Sequence, residues 1–280
     1  MEDELVSVYI PTHNRCHMLR RAVESVLGQT YKNIEIIVSD DGSNDSTEEY
    51  VTDLLKKYPN IFYIKSDIPQ GACAARNRAI FSAKGIYITG LDDDDEFTPD
   101  RIEKLVTAYK KYGKYSFIST GVKILDKNSI SAGYAKPKII KPEMLFNENV
   151  IGNQVLTKTE LMTSIGGFDE ELPAWQDYEC WIRLSHAFGE GYNLGELTYI
   201  MHLEHDLPRV SRSNNAKKAL ELILDKYQEK LTPSNIKNLK VNYLYNYVKI
   251  ITFKELVLNL TVLNLMRYSK LFIRKIIRKK

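Results

Sequence analysis

Two sequence periods alternate over the first 120 residues, and this alternation constrains the chain more than any other feature. Short apolar, β-branched runs stand at 6–10, 34–39, 61–64, 86–89 and 117–120, with helical patterns between them at 18–28, 46–58, 72–83 and 100–112. Strands and helices repeating at this spacing predict an α/β fold, with a mainly parallel, Rossmann-like sheet flanked by helices. In open sheets of this kind ligands bind beyond the carboxyl ends of the strands. Those ends carry Pro11-Thr12-His13-Asn14-Arg15, Asp40-Asp41-Gly42-Ser43 and Asp92-Asp93-Asp94-Asp95.

The acidic run from Asp92 to Glu96 is the strongest local signal. Such a run on an open loop is ordinarily solvated. Here it follows a buried-strand pattern at 85–89 and precedes a helix start at 97–100. Carboxylates crowded at a strand end repel one another unless a cation holds them, and hard oxygen donors suit Mg2+ or Mn2+. A calcium EF-hand is a poor fit, because its sixth loop position needs Gly and here is Phe97. Asp40 directly ends an apolar strand, where a carboxylate can meet a base edge or a ribose. Ser43, Asp45 and Ser46 behind it suit a helix cap. The stretch from Gly71 to Arg78 opens a helix with small residues followed by Arg76 and Arg78, which fits close approach to a diphosphate. Neither a GxxxxGK[ST] loop nor a GxGxxG turn occurs, which disfavours P-loop and dinucleotide folds.

Composition narrows the function classes. The net charge is +3, but residues 254–280 hold eight basic residues and one acid, whereas residues 1–253 hold 31 basic and 35 acidic. An acidic body argues against nucleic acid as a partner. With 44% hydrophobic residues the chain can fill a core. Cys16, Cys73 and Cys180 are scattered and odd in number, so reduced thiols and a cytoplasmic setting are expected rather than a disulfide framework or a zinc site. The acidic start Met1-Glu2-Asp3-Glu4 does not resemble a secretory signal. The apolar run 256–266 is too short to span a bilayer.

As an ordered set, Ser7–Arg15, Ser39–Thr47, Ala75-Arg76-Asn77 and Leu91–Asp95 resemble glycosyltransferase family 2. Gly166-Gly167-Phe168-Asp169 and Gln176–Arg183 resemble that family's acceptor-side motifs, so the resemblance covers roughly residues 5–213. It implies a GT-A fold and inverting transfer from a UDP-sugar, of the kind used in bacterial O-antigen or capsule assembly. Pro11, Thr12, Arg15, Asp40, Arg76, Asp92 and Asp93 would bind the nucleotide, with Asp40 on the uracil and Arg76 near the pyrophosphate. Asp92 and Asp94 would form the DxD pair, with Asp94 on Mn2+ or Mg2+. His202 or His205 would complete that site, His205 being taken as the metal ligand. Asp177 would be the general base, and Trp175 and Gln176 would face the acceptor. The family usually has an acid where Gln176 stands. A carboxylate at Asp177 needs no raised pKa to take a proton at neutral pH. Of the two tryptophans beside it, Trp181 is expected in the core.

The expected organisation is a catalytic domain over 1–213, with a nucleotide half (1–120) and an acceptor half (121–213), followed by a helical extension over 214–280. On a helical wheel over 264–278 basic and apolar side chains separate onto two faces, which fits an interfacial helix on anionic lipid. The resulting expectation is a cytoplasmic enzyme, peripheral on the inner face of the cell membrane, with a lipid-linked saccharide acceptor. A nucleotidyltransferase would be expected to carry a Gly-rich basic loop after the first strand, which Pro11-Thr12-His13-Asn14 is not. A non-catalytic sugar-nucleotide binding module would not need the Asp92, Asp94 and Asp177 set.

Overall fold

The structure is a computed structural model of the chain and describes residues 4–127, 129–203, 213–248 and 252–265. The chain divides into two compact units. One comprises residues 1–142, 150–170 and 177–207, and the other 143–149, 171–176 and 208–280.

In the first unit the chain runs β1 (Val6–Thr12), α1 (Cys16–Leu27), β2 (Ile34–Asp40), α2 (Thr47–Leu55), β3 (Ile61–Lys65), α3 (Ala72–Ser82) and β4 (Tyr87–Gly90). It continues through β5 (Glu96–Phe97), α4 (Arg101–Tyr112), β6 (Phe117–Asp126), β7 (Ser129–Gly133) and β8 (Lys138–Ile140); α5 (Pro142–Leu145) follows, all but its first residue belonging to the second unit. The remaining elements are β9 (Val155–Lys158), α6 (Thr159–Ser164), α7 (Gln176–Phe188) and β10 (Gly191–His202). The main sheet has the order β3-β2-β1-β4-β9-β6-β10-β5, with β7 on β6 and β8 on β10. Strands β3, β2, β1 and β4 are mutually parallel, as the sequence alternation requires. Antiparallel β9 between β4 and β6 then makes the sheet mixed. The two-residue β5 lies inside what the sequence presents as a helix-start loop, and it forms because β10 supplies the partner edge.

Both faces of the parallel part are covered, and the period of two sorts them. Val6, Val8, Ile10, Ile34, Ile36 and Val38 join α1, α2 and α4 in one apolar core. The alternate residues Ser7, Tyr9, Glu35 and Ile37 are also buried. On that face Ser7 Oγ donates to Glu35 Oε1 at 2.5 Å, and the Lys84 and Gly85 amides donate to the same oxygen at 2.6 and 3.1 Å. A buried carboxylate thus closes the amino end of the sheet with its acceptors filled.

One loop on this face positions the later motifs. Asn77 of α3 donates to Phe168 O at 2.9 Å and to Glu170 Oε1 at 2.8 Å, and accepts from the Phe168 amide at 2.7 Å. From the other side Arg183 of α7 donates to Ile165 O at 2.6 Å while paired with the fully buried Glu179. The Phe168 ring lies edge-on to both Tyr9 (6.2 Å) and Trp181 (5.9 Å). Trp181 is in the core, as expected.

The close approach requires glycine. Gly167 has φ +69°, and a Cβ there would stand 2.3 Å from Asn77 Oδ1, whereas one at Gly166 (φ +79°) meets nothing within 4 Å. Gly167→Ala should therefore lower unfolding free energy by about 3 kcal/mol, and Gly166→Ala by about 1 kcal/mol. Denaturant melts of the two variants check this; equal costs would remove the Asn77 clamp as the cause.

The second unit is helical, with α8 (Ser213–Lys226), α9 (Pro233–Tyr247) and α10 (Phe253–Leu258). Thr232 and Thr252 start α9 and α10 with reciprocal capping boxes. A ladder of asparagines organises it: Asn235 and Asn238 donate to Asn147 Oδ1 at 2.9 and 2.8 Å, and Asn242 donates to Asn147 O at 2.8 Å.

Candidate active site

The carboxyl ends of β1, β2 and β4 meet in two interlocked loops and one acidic run. The loops are joined by four bonds. Asn14 N donates to Ser43 Oγ at 2.8 Å, and Asn44 N to Asn14 Oδ1 at 2.8 Å. His13 Nδ1 lies 2.8 Å from Asp41 O, and the Cys16 amide donates to Asp45 Oδ2 at 3.0 Å. Asp45 Oδ1 also accepts from the Thr47 amide, so one side chain serves the starts of α1 and α2.

Asp40 is fully buried, its Oδ1 accepting from Ser43 N at 2.8 Å and its Oδ2 from the Tyr63 hydroxyl at 2.6 Å. Asp41 holds the next loop through the amides of Gln70 and Gly71 and through Arg78 at 2.8 Å. Pro11 is buried in β1 beside them.

Burial alternates along the acidic run. Asp93 and Asp95 are buried, while Asp92, Asp94 and Glu96 are half-exposed. Asp92 and Asp94, expected as the DxD pair, thus share with Glu96 an exposure that Asp93 and Asp95 lack. Arg76 of α3 pairs with Asp92 at 2.8 Å, and its guanidinium lies 5.2 Å from the Phe168 ring centroid. Arg15 bridges Asp93 (3.1 Å) and Asp94 (3.3 Å), and Thr12 donates to Asp93 at 2.8 Å. Burial lifts the Asp93 carboxyl to about 6 even with Arg15 beside it. Burial also raises Asp95 well above the ordinary range, with Asp94 and Asp92 adding repulsion. Asp95 accepts from the Tyr199 hydroxyl at 2.8 Å and the His202 amide at 2.9 Å.

Asp177 is the second residue of α7. Its Oδ1 is screened from solvent and accepts no hydrogen bond from the described residues. Burial raises its pKa to about 7, the Arg76 charge opposing and the Asp92 charge assisting. The base candidate, the diphosphate candidate and the first DxD carboxylate are therefore electrostatically linked.

Among the described residues no three His, Cys, Asp or Glu side chains converge as a metal cage. Half-exposed hard oxygens at Asp92 and Asp94 still fit Mg2+ or Mn2+, which take one or two carboxylates and complete their shell with phosphate and water. His202 Nε2 lies 3.1 Å from Glu96 Oε1, while His205 and residues 209–211 lie outside the described residues. In the second unit Trp175 has φ +58° and its indole donates to the Tyr247 hydroxyl at 3.2 Å, and Gln176 donates to Leu172 O at 3.0 Å.

Several residues of this neighbourhood carry no signal in the sequence. Tyr199 touches both Asp95 and the Asp92 amide, the latter at 3.4 Å. Arg21 donates to the Asp94 backbone carbonyl. Asn77 stands beside Arg76 within a quoted motif, yet its work is visible only once residues 166–170 are placed against it.

The sequence matches the family described as "Glycosyl transferase family 2" over residues 7–161. A putative colanic acid biosynthesis glycosyl transferase, WcaA of Escherichia coli K12, is 37% identical over 215 residues, covering 75% of this chain and 76% of that protein. An uncharacterized glycosyltransferase of Rickettsia typhi is 32% identical over 238 residues, covering 81% of this chain and 73% of its own. The crystal structure of S. aureus TarS 1-349 in complex with UDP-GlcNAc superposes with a TM-score of 0.72 at 16% identity, over 90% of this chain and 78% of that one. At that identity the likeness shows the fold, which is GT-A. Sheet, motif order and relatives agree, and the chain belongs to glycosyl transferase family 2.

Proposed function

We propose that this glycosyltransferase moves a hexose or N-acetylhexosamine from a UDP-sugar to a hydroxyl of a lipid-linked saccharide, with inversion, in assembly of a surface polysaccharide. The observation that carries this reading is Asp177 Oδ1: a screened carboxylate oxygen without a partner among the described residues, on a group whose burial raises its pKa to about 7. A buried acceptor left open costs stability, and a catalytic role is one compensation for it where the group also has a shifted pKa. The relative named for colanic acid biosynthesis and the UDP-GlcNAc complex of TarS support the polymer and the donor class.

In this mechanism Asp177 takes the proton of the acceptor hydroxyl. That oxygen attacks the anomeric carbon as the bond to the UDP diphosphate oxygen breaks on the opposite side, so one displacement inverts the centre. Asp94 would hold Mn2+ or Mg2+, which would neutralise charge growing on the leaving diphosphate, and Asp92 would lie toward the ribose. Arg76 stays charged beside that position, its pKa held up by Asp92 and Asp177 against burial. Thr12 and Arg15 set Asp93 and thereby the loop between Asp92 and Asp94. Asp40 would meet the uracil N–H; its carboxylate is fully buried and accepts from Ser43 and Tyr63. Pro11 lines the base pocket, Trp175 and Gln176 face the acceptor, and His205 joins the metal site. Residues 1–213 act as the catalytic domain and 214–280 as its helical extension. No helix of the described residues is long and apolar enough to cross a membrane. The basic excess of 254–280 supports a position on the inner face of the cell membrane, against anionic lipid.

Asp177→Asn should lower kcat by about 1000-fold with any accepted donor. UDP release from a panel of UDP-sugars measures this, and equal turnover would remove Asp177 from its role. The wild-type kcat/KM should rise with pH through about 7 as Asp177 ionises. Stability runs the other way. A carboxyl raised on folding binds its proton more tightly in the native state, so its contribution is fully present below the unfolded pKa and is lost as pH climbs through about 7. Asp177→Asn should accordingly melt a few degrees above wild type at pH 8 and show no such gain at pH 4. A flat difference between the two pH values would contradict the raised pKa.

Asp94→Ala should abolish the response of turnover to added Mn2+ and raise KM for the donor by about tenfold or more. Wild-type turnover that is indifferent to a chelator would overturn the metal assignment.

A further inference from the structure

We propose that residues 257–265 form an apolar knuckle by which this chain docks on an anionic lipid surface. The segment is inside-out. Thr261 Oγ1 donates to Asn238 Oδ1 at 2.7 Å, and Asn264 Nδ2 donates to the same oxygen at 3.0 Å and to Asn259 O at 2.9 Å. The Thr261 amide donates to Asn264 Oδ1 at 2.8 Å, and the Asn264 amide to Thr261 Oγ1 at 3.2 Å. Asn264 is only 3% exposed. The polar side chains are thus spent inward on α9, where Asn238 is itself fixed by Asn147.

Their neighbours are turned outward. Val262 is 92% exposed, Leu258 59%, Leu263 57%, Leu265 53% and Val257 52%. Scattered exposed aliphatics are ordinary on a soluble surface, but these five within nine residues facing water while Asn264 is buried and Thr261 half-buried among them mark an interaction surface. The bonds to Asn238 fix which side faces out, so the exposure is built into the turn.

Charge selects the occupant. The fifteen residues that follow, 266–280, contain Arg267, Lys270, Arg274, Lys275, Arg278, Lys279 and Lys280 and no acid. Apolar side chains adjoining a polybasic stretch match the layering of a bilayer surface, acyl chains beneath anionic headgroups. A protein partner would need acidic and apolar surface in that same adjacency. The knuckle deepens the membrane reading given above by adding an apolar contact to a purely electrostatic one, and it is independent of Asp177 and the metal.

The test uses the full chain with vesicles of phosphatidylcholine alone and of phosphatidylcholine with phosphatidylglycerol. Wild type, Val262→Ser/Leu263→Ser and Arg274→Gln/Lys275→Gln/Arg278→Gln are compared by co-sedimentation at low and high salt. The serine pair changes no charge, and both positions are solvent-facing, so donor turnover and Tm should hold. Wild type should sediment with the anionic vesicles, and the serine pair should bind them at least about tenfold more weakly. The glutamine variant should lose the salt-sensitive part of binding. Loss of binding in the glutamine variant alone would leave the electrostatic reading standing and overturn the knuckle. Absence of wild-type binding would overturn both while leaving the transferase reading intact. A wild-type dimer that the serine pair dissociates, with vesicle binding unchanged, would assign the surface to a second copy of the chain and overturn the proposal.

Discussion

Four consecutive aspartates, packed at the end of a buried strand, are the condition that the rest of the catalytic unit satisfies. Asp92 to Asp95 cannot all be charged and close without answering groups. Each is answered from a different part of the chain: Asp92 by Arg76 of α3, Asp93 by Thr12 of β1, Asp93 and Asp94 by Arg15, and Asp95 by Tyr199 and the His202 amide of β10. Elements more than 100 residues apart therefore have to meet at this run. The buried pair, Asp93 and Asp95, is pushed toward the neutral form, which relieves repulsion around the outward pair. Two acids hold the loop, and two keep partial exposure.

Arg101 gives the opposite solution, a buried cation with no carboxylate bonded to it. It begins α4, is fully buried, and donates to the hydroxyls of Thr120 and Thr198. Its guanidinium lies 4.6 Å from the Phe97 ring centroid and 5.2 Å from that of Tyr199. Burial lowers its pKa to about 10, so the charge persists at neutral pH. Ring faces and hydroxyl dipoles compensate it. Because Tyr199 also binds Asp95, the cation packs behind the acidic run without capping it. An arginine bonded directly to Asp95 would displace the tyrosine that also receives the Asp92 amide.

The parallel strands were legible because their burial on both faces leaves continuous apolar runs, and the site was legible as polar residues at those strands' ends. Antiparallel β9 is only four residues long, and its limits come from pairing with β4 and β6 rather than from a local pattern. The hairpin of β7 with β6 is exposed and has no apolar face to announce it. Contacts such as Asn77 with Phe168, 91 positions apart, have no local signature at all. The motif residues named from resemblance stand near one another at Thr12, Arg15, Asp92, Asp93 and Asp94, whereas what tunes them, Tyr199, Arg21 and Asn77, depends on long-range packing.

The same distinction governs Asp177. Its place at the start of a helix would by itself favour the charged form, since backbone amides there point toward it. Burial wins, and the pKa rises to about 7. Arg76 is the largest opposing influence, and Arg76 is also the partner of Asp92. Any group that draws Asp92 toward itself, or adds positive charge beside it, weakens the repulsion that Asp92 exerts on Asp177 and strengthens the hold of Arg76. A cation held at Asp92 would therefore lower the pKa of Asp177, whereas an anion drawing on Arg76 would raise it.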